Sequence, residues 1–165
     1  MNRILFVLVA FLAQLAGMPV AFAADSDVDV TMQAFKVVAT ARGTELQKTD
    51  AAEPGDTIEY QVAYRNRGKT PARNVVAVLP VPADGMAYLP DSAAPAAVEA
   101  SLDGKTYAPV PLQRTVVRAG RSVTEPVPPA EYRFLRWHLG DLPAGQATTV
   151  KSRMRLNGAT VRNNS

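Results

Sequence analysis

Between Thr57 and Arg65 the chain alternates. Ile58, Tyr60, Val62 and Tyr64 fall on one side, and Thr57, Glu59, Gln61 and Arg65 on the other. Period-two patterning in β-branched and aromatic residues predicts a strand with one buried face. A Pro54-Gly55-Asp56 turn precedes it, and the NRGKTP segment from Asn66 to Pro71 punctuates it. Val75 to Leu79 then reads as a second, almost wholly apolar strand. Pro80 and Pro82 end it, because proline cannot donate to a sheet ladder.

The same pattern recurs on either side. Val28 to Ala39 predicts a first strand whose apolar positions change phase between Ala34 and Phe35, the mark of a bulge or a switch of sheets. Arg42 to Ala52 is polar and reads as a connection. After Asp84-Gly85 come a short apolar piece, Met86 to Leu89, and a loop, Pro90 to Pro95. Val98, Ala100 and Leu102 alternate into Asp103-Gly104, a hairpin signal returning through Tyr107. Pro109 and Pro111 stop the return early and predict a sheet edge. Thr115 to Val117 precedes an Ala119-Gly120 turn, and Glu125 to Ala130 (EPVPPA) reads as an extended spacer. Leu135, Trp137 and Leu139 share a face opposed to Arg136 and His138. Gly140 to Gly145 turns the chain. Val150, Ser152, Met154 and Leu156 then oppose Lys151, Arg153 and Arg155, and Asn157-Gly158 ends the strand. Tyr60, Val62, Trp137, Leu139 and Met154 are the expected core between two antiparallel sheets. No helical period appears beyond the N-terminal segment.

That segment changes the picture of where the chain works. Arg3, the apolar run Ile4 to Ala16 and Ala21-Phe22-Ala23 have the layout of a secretory signal cleaved after Ala23. The expected division is a signal peptide over 1–23, one domain over 24–158 and a frayed tail over 159–165. A periplasmic or secreted location follows. With no cysteine in the chain, stability in an oxidising compartment must come from the core. No further stretch is long and apolar enough to span a membrane.

Net charge is +3 over the whole chain, too small to steer a partner, but its distribution is uneven. Ala24 to Gln113 holds eight Lys and Arg against twelve Asp and Glu, whereas Arg114 to Ser165 holds nine against three. Lys151, Arg153 and Arg155 make a basic row on the closing strand, which Arg133 or Arg136 on a neighbouring strand would extend. Such a row suits an anionic envelope polymer or an acidic protein surface, or it guards the strand and keeps the domain soluble. Nucleic acid is not expected of an exported chain without a basic-aromatic module.

Candidate chemistry is sparse. His138 is the only histidine, and its nearest acid in sequence, Asp141, lies across a turn, which suggests a surface hydrogen bond. Gly120-Arg121-Ser122 lacks the second glycine of a nucleophile elbow. One histidine and no cysteine cannot ligate zinc. Asp25, Asp27 and Asp29 alternate like part of a calcium loop, without its glycine or terminal glutamate, and suit a solvated strand edge better. Glu59, Glu125 and Glu131 show no cleft spacing. Tyr88, Tyr107 and Tyr132 would stack on sugars if clustered and exposed, and otherwise fill the ends of the sandwich. No catalytic residue, metal or cofactor is expected.

PGDTIEYQVAYRNRGKTPARNVVAVLPVP, MAYLPDSA and LRWHLGDLPAGQATTV together resemble a conserved repeat domain, of unknown function, found in bacterial envelope and surface proteins. The likeness runs from Val28 to Leu156, in a single copy. It implies an all-β, Ig-like antiparallel β-sandwich of about seven to nine strands. It also implies a non-catalytic binding or structural module; taken with the basic row, the expected partner is an envelope or extracellular protein or an anionic polymer. The other function to weigh is an assembly or chaperone-like factor that pairs a sheet edge with a client strand. Some Ig-like surface domains join a first-strand lysine to a last-strand asparagine. Lys36 and Asn157, with Glu59 or Asp56 as the acid, are the residues such a bond would need, buried together.

Overall fold

The structure, a computed structural model, describes residues 28–83 and 85–157. The expected signal segment, Asp25, Asp27 and the tail after Asn157 lie outside that range. The described residues are all-β, with antiparallel sheets. The strands are β1 (Val28–Thr40), β2 (Gly43–Lys48), β3 (Thr57–Asn66), β4 (Ala72–Pro80), β5 (Met86–Tyr88), β6 (Glu99–Ser101), β7 (Ala108–Pro109), β8 (Gln113–Arg118), β9 (Arg121–Pro126), β10 (Phe134–Leu142) and β11 (Ala147–Leu156), with a 3-10 turn at Pro129–Glu131. Five strands form one sheet in the order β2-β1-β3-β11-β5, four form a second in the order β4-β10-β6-β7, and β8-β9 stand apart as a two-stranded ribbon.

Alternation decides which side chains meet. Ile58, Tyr60, Val62 and Tyr64 from β3 and Val150 and Met154 from β11 line the inward face of the five-stranded sheet, all buried. Ala77 and Leu79 from β4 and Leu135 and Trp137 from β10 line the other. These side chains form one core. Of the five expected core residues, Tyr60, Val62, Trp137 and Met154 are buried, while Leu139 is half-buried against the cluster. Trp137 Nε1 donates to Pro95 O at 2.9 Å, so its one polar group is satisfied inside.

Two of the crossings between the sheets, β3 to β4 and β10 to β11, pass through one buried side chain. Asn66 Nδ2 donates to Thr70 O and to Leu142 O, each at 2.8 Å, and Oδ1 accepts from Gly68 N–H at 2.9 Å. Its backbone exchanges hydrogen bonds with the turn before β11: its N–H donates to Gln146 O, and its carbonyl accepts from Gly145 N–H, each at 2.9 Å. The N-x-G turn is therefore a clamp between the two connections.

Several expectations are corrected. The polar stretch Arg42 to Ala52 contains a strand, β2, paired along β1 from Phe35↔Lys48 to Thr40↔Gly43. All six of its residues are exposed, so no buried face imposes a period. β1 has no bulge: its register to β3 runs unbroken from Val28↔Asn66 to Lys36↔Ile58. The phase change arises because both faces carry apolar residues. Inward-facing Val30 and Met32 stay 47% and 39% exposed, since β1 is covered by the second sheet chiefly at Ala34.

Asp103-Gly104 is not a two-residue hairpin. β6 and β7 pair as Glu99↔Pro109 and Ala100↔Ala108, and the loop between them is held by side chains. Ser101 Oγ accepts from Gly104 N–H, and Asp103 Oδ1 accepts from Lys105 and Thr106 N–H. These backbone donors pull the Asp103 carboxyl down to about 2. Gly104 has φ +75, and a Cβ there would meet the Phe134 ring at 2.9 Å, so only glycine fits. β7 is the sheet edge, as Pro109 and Pro111 predict. Glu125 and Pro126 end β9, Val127 is buried, and the expected spacer is consequently a strand end followed by a 3-10 turn. β10 runs on through Gly140, with register shifts, to Leu142.

Candidate functional site

The basic row occupies the outward face of β11. Lys151 pairs with Gln61, Arg153 with Glu59 and Arg155 with Thr57. Lys151 and Arg155 are exposed. Arg153 is not free: its Nε donates to Glu59 Oε2 at 2.8 Å, and Gln61 Nε2 donates to Glu59 Oε1 at 2.7 Å. Glu59 faces outward in register yet is 3% exposed, flanked by Phe35 and Arg153 on the two neighbouring strands. Burial pushes its carboxyl up, but the bonds from Arg153 and Gln61 and the nearby Lys151 outweigh it and hold the group below its ordinary range. The row thus presents two exposed cations either side of a neutralised pair. At about 6.8 Å per two residues of strand, they stand roughly 14 Å apart.

Arg136 does not extend that row. β10 lies in the four-stranded sheet, so its outward face is the opposite side of the sandwich from β11. There Arg136 Nε and Nη2 both donate to Glu99 Oε2, at 2.7 and 2.6 Å, and its guanidinium lies 3.9 Å from the centre of the Tyr107 ring. His138 Nε2 sits 3.2 Å from the same carboxylate oxygen. The Arg136 bonds above all hold Glu99 below its ordinary range. His138 therefore faces Glu99 and not Asp141, which accepts from Arg73 and from Asn74 N–H. Val76 and Val78 of edge strand β4 lie beside this cluster, each 42% exposed.

The remaining candidates separate. Glu125 and Glu131 converge on Arg114, at 3.1 and 2.9 Å, on the ribbon side of the molecule and apart from Glu59. Asp29 pairs with Arg67. Tyr88 and Tyr132 are buried and stacked, ring centres 6.1 Å apart, and Tyr132 Oη accepts from Leu112 N–H. Only Tyr107 reaches the surface region, half-buried over Arg136.

Lys36 Nζ lies 2.8 Å from Asp56, whose hydrogen bond raises the ammonium pKa, and the side chain is 38% exposed. Glu59 faces the other side of the sheet, and Asn157 is exposed. A buried neutral lysine beside an acid and an amide is not assembled among these residues.

Among the described residues no group of three His, Asp or Glu side chains is placed to hold a metal ion, and no helix is long and apolar enough to cross a membrane. A groove of about 230 Å³ lies between the β6-β7 loop and the base of the ribbon, lined mainly by Leu102, Ala108, Leu112 and Val127. The sequence pattern did not reveal the Glu59–Arg153 pair, because a glutamate on the polar side of an alternating strand reads as solvent-exposed. No family model matches the chain, and neither a curated protein nor a solved structure matches it.

Proposed function

We propose that this chain is an exported, non-catalytic Ig-like module of the bacterial cell envelope, acting by binding or by structure in the periplasm or outside the cell. The motifs from Val28 to Leu156 and the signal-like residues 1–23 support that reading, and a two-sheet antiparallel architecture agrees with it. One observation carries the binding surface. Lys151 and Arg155 stand exposed on a strand paired on both sides, so their spacing is held by the sheet and not by a loop. Two held cations suit an anionic polymer or an acidic protein surface, at an attraction that weakens with salt.

The test is retention of the purified protein on isolated envelope at low and high salt, with Lys151→Gln and Arg155→Gln combined. Arg153 stays in place, because removing it would strand the buried Glu59 carboxylate and confuse binding with stability. Loss of salt-sensitive retention supports the reading. Unchanged, salt-independent retention leaves the row without a binding role. N-terminal sequencing of the native protein is expected to begin at Ala24, and a start at Met1 in the membrane fraction would sink the export reading.

A second reading, an assembly factor that captures a client strand, is favoured by one feature. Edge strand β4 carries neither lysine nor proline from Arg73 to Leu79, and it presents Val76 and Val78. Val78→Lys would abolish capture of an unfolded client under that reading and leave envelope retention unchanged under the first.

A further inference from the structure

Among the described residues, β8 and β9 pair with each other and with no other strand. A lone two-stranded ribbon is marginal in water and gains from added strands. Its base is well anchored. Arg114 binds Glu125 and Glu131, Val127 N–H donates to Leu112 O at 2.8 Å, and Leu112 N–H reaches Tyr132 in the core. Its tip is a two-residue turn, Ala119-Gly120, with φ +50 and +75, the primed geometry that matches strand twist. An anchored arm with exposed strands needs an explanation beyond its own stability.

The Val127–Leu112 bond sets the parity of the ladder. Register runs from Gln113↔Pro126 to Arg118↔Arg121. Alternate pairs exchange hydrogen bonds in an antiparallel ladder, so Arg121, Val123 and Glu125 bond inward to β8. Ser122 and Thr124 therefore point their N–H and C=O groups outward from β9, and Ser122, Val123 and Thr124 are all exposed.

We propose that β9 pairs antiparallel with β9 of a second copy of this chain, across a two-fold axis at Val123, joining two ribbons into one four-stranded sheet. In that register Ser122 and Thr124 exchange four backbone hydrogen bonds with Thr124 and Ser122 of the second copy. Val123, now 42% exposed, closes on its own symmetry mate, and Arg121 faces Glu125 of the second copy twice over. Charge favours this edge. Arg121 has no ion pair among the described residues and gains Glu125 of the second copy, which already bridges Arg114 and Arg118 of its own chain. The equivalent pairing of β8 about Val116 instead sets Arg114 against Arg118 of the second copy and brings no new opposite charge across the seam.

The experiment uses the protein expressed from Met1, so that any processing takes place, with mass followed by light scattering up to about 1 mM, a weak-affinity limit. Thr124→Pro removes only an outward N–H and spares the ribbon's own ladder. Thr115→Pro does the same on the β8 edge. The expected result is a concentration-dependent dimer that Thr124→Pro weakens at least tenfold and Thr115→Pro leaves intact. In this cysteine-free chain, Val123→Cys should oxidise to a covalent dimer far faster than the more exposed Val117→Cys. A protein monomeric throughout the range overturns the proposal, as do equal effects of the two prolines or equal crosslinking at the two cysteines.

Discussion

Asn66 offers the sharpest test of how the two sheets are joined. Asn66→Ala removes three hydrogen bonds at once. Gly68 N–H and Thr70 O lie toward the surface and can be rehydrated, so each loss costs about 0.5–1.5 kcal/mol. Leu142 O is buried at that contact, and an orphaned buried acceptor costs about 1–3 kcal/mol. The expected total is roughly 2–4 kcal/mol, allowing for partial overlap among neighbouring losses.

Asn66→Asp is nearly isosteric yet should be worse near neutral pH, because the carboxylate turns an acceptor toward two carbonyl oxygens. Protonated, the new group can still donate to one of them. The folded state therefore raises its pKa above the ordinary value of about 4. A raised acid pKa means the folded protein binds a proton that the unfolded chain releases, so the variant is most stable below the unfolded pKa and loses stability as pH rises through the folded one. Urea unfolding followed by Trp137, the only tryptophan and a buried one, reads both variants. A cost below about 1 kcal/mol for Asn66→Ala, typical of a surface change, would refute the clamp. So would an aspartate variant as stable as the alanine one at pH 7.

Other perturbations follow from the same geometry. Trp137→Ala, at 1% exposure, should cost about 3–5 kcal/mol in urea unfolding, and a loss under about 1 would mean the indole is not in the core. Ser152 Oγ is buried without a hydrogen-bond partner among the described residues, so Ser152→Ala should be neutral or stabilising; a loss above about 1 kcal/mol would reveal a partner for the hydroxyl. Glu59 has a depressed pKa, so the stability it contributes is present above the unfolded value of about 4.3 and is lost as pH falls through the folded one. Arg153→Gln removes the strongest of the bonds that oppose burial, so the Glu59 carboxyl rises and the buried charge becomes costly near neutral pH. The variant should lose about 1–3 kcal/mol near pH 7, discounted for the part-exposed arginine, and much less near pH 4. An equal loss at both pH values would show that the pair is not what holds Glu59.

Local pattern by itself determined the strands that bury one face. β3, β10 and β11 were legible because a strand covered on one side must alternate, and Tyr60, Trp137 and Met154 lie where that alternation puts them. The proline-limited edge at β7 and the turn at Ala119-Gly120 were legible too, since proline's missing donor and the turn's backbone demands act within a few residues. Where burial does not act on one face alone, the pattern failed. β2 is exposed on both sides and gave no period, and β1 carries apolar residues on both faces, which counterfeits a bulge.

Period states which side of a strand a residue takes but not which strand lies beside it, and only the tertiary structure decided that. It set Arg136 and Lys151 on opposite outer faces. It brought Glu99 to His138 across 39 residues of chain, and closed Arg153 over Glu59 across 94. Sheet assignment and register are set by pairing between distant segments, whose energy depends on the whole set of neighbours and leaves no mark in any short window of sequence.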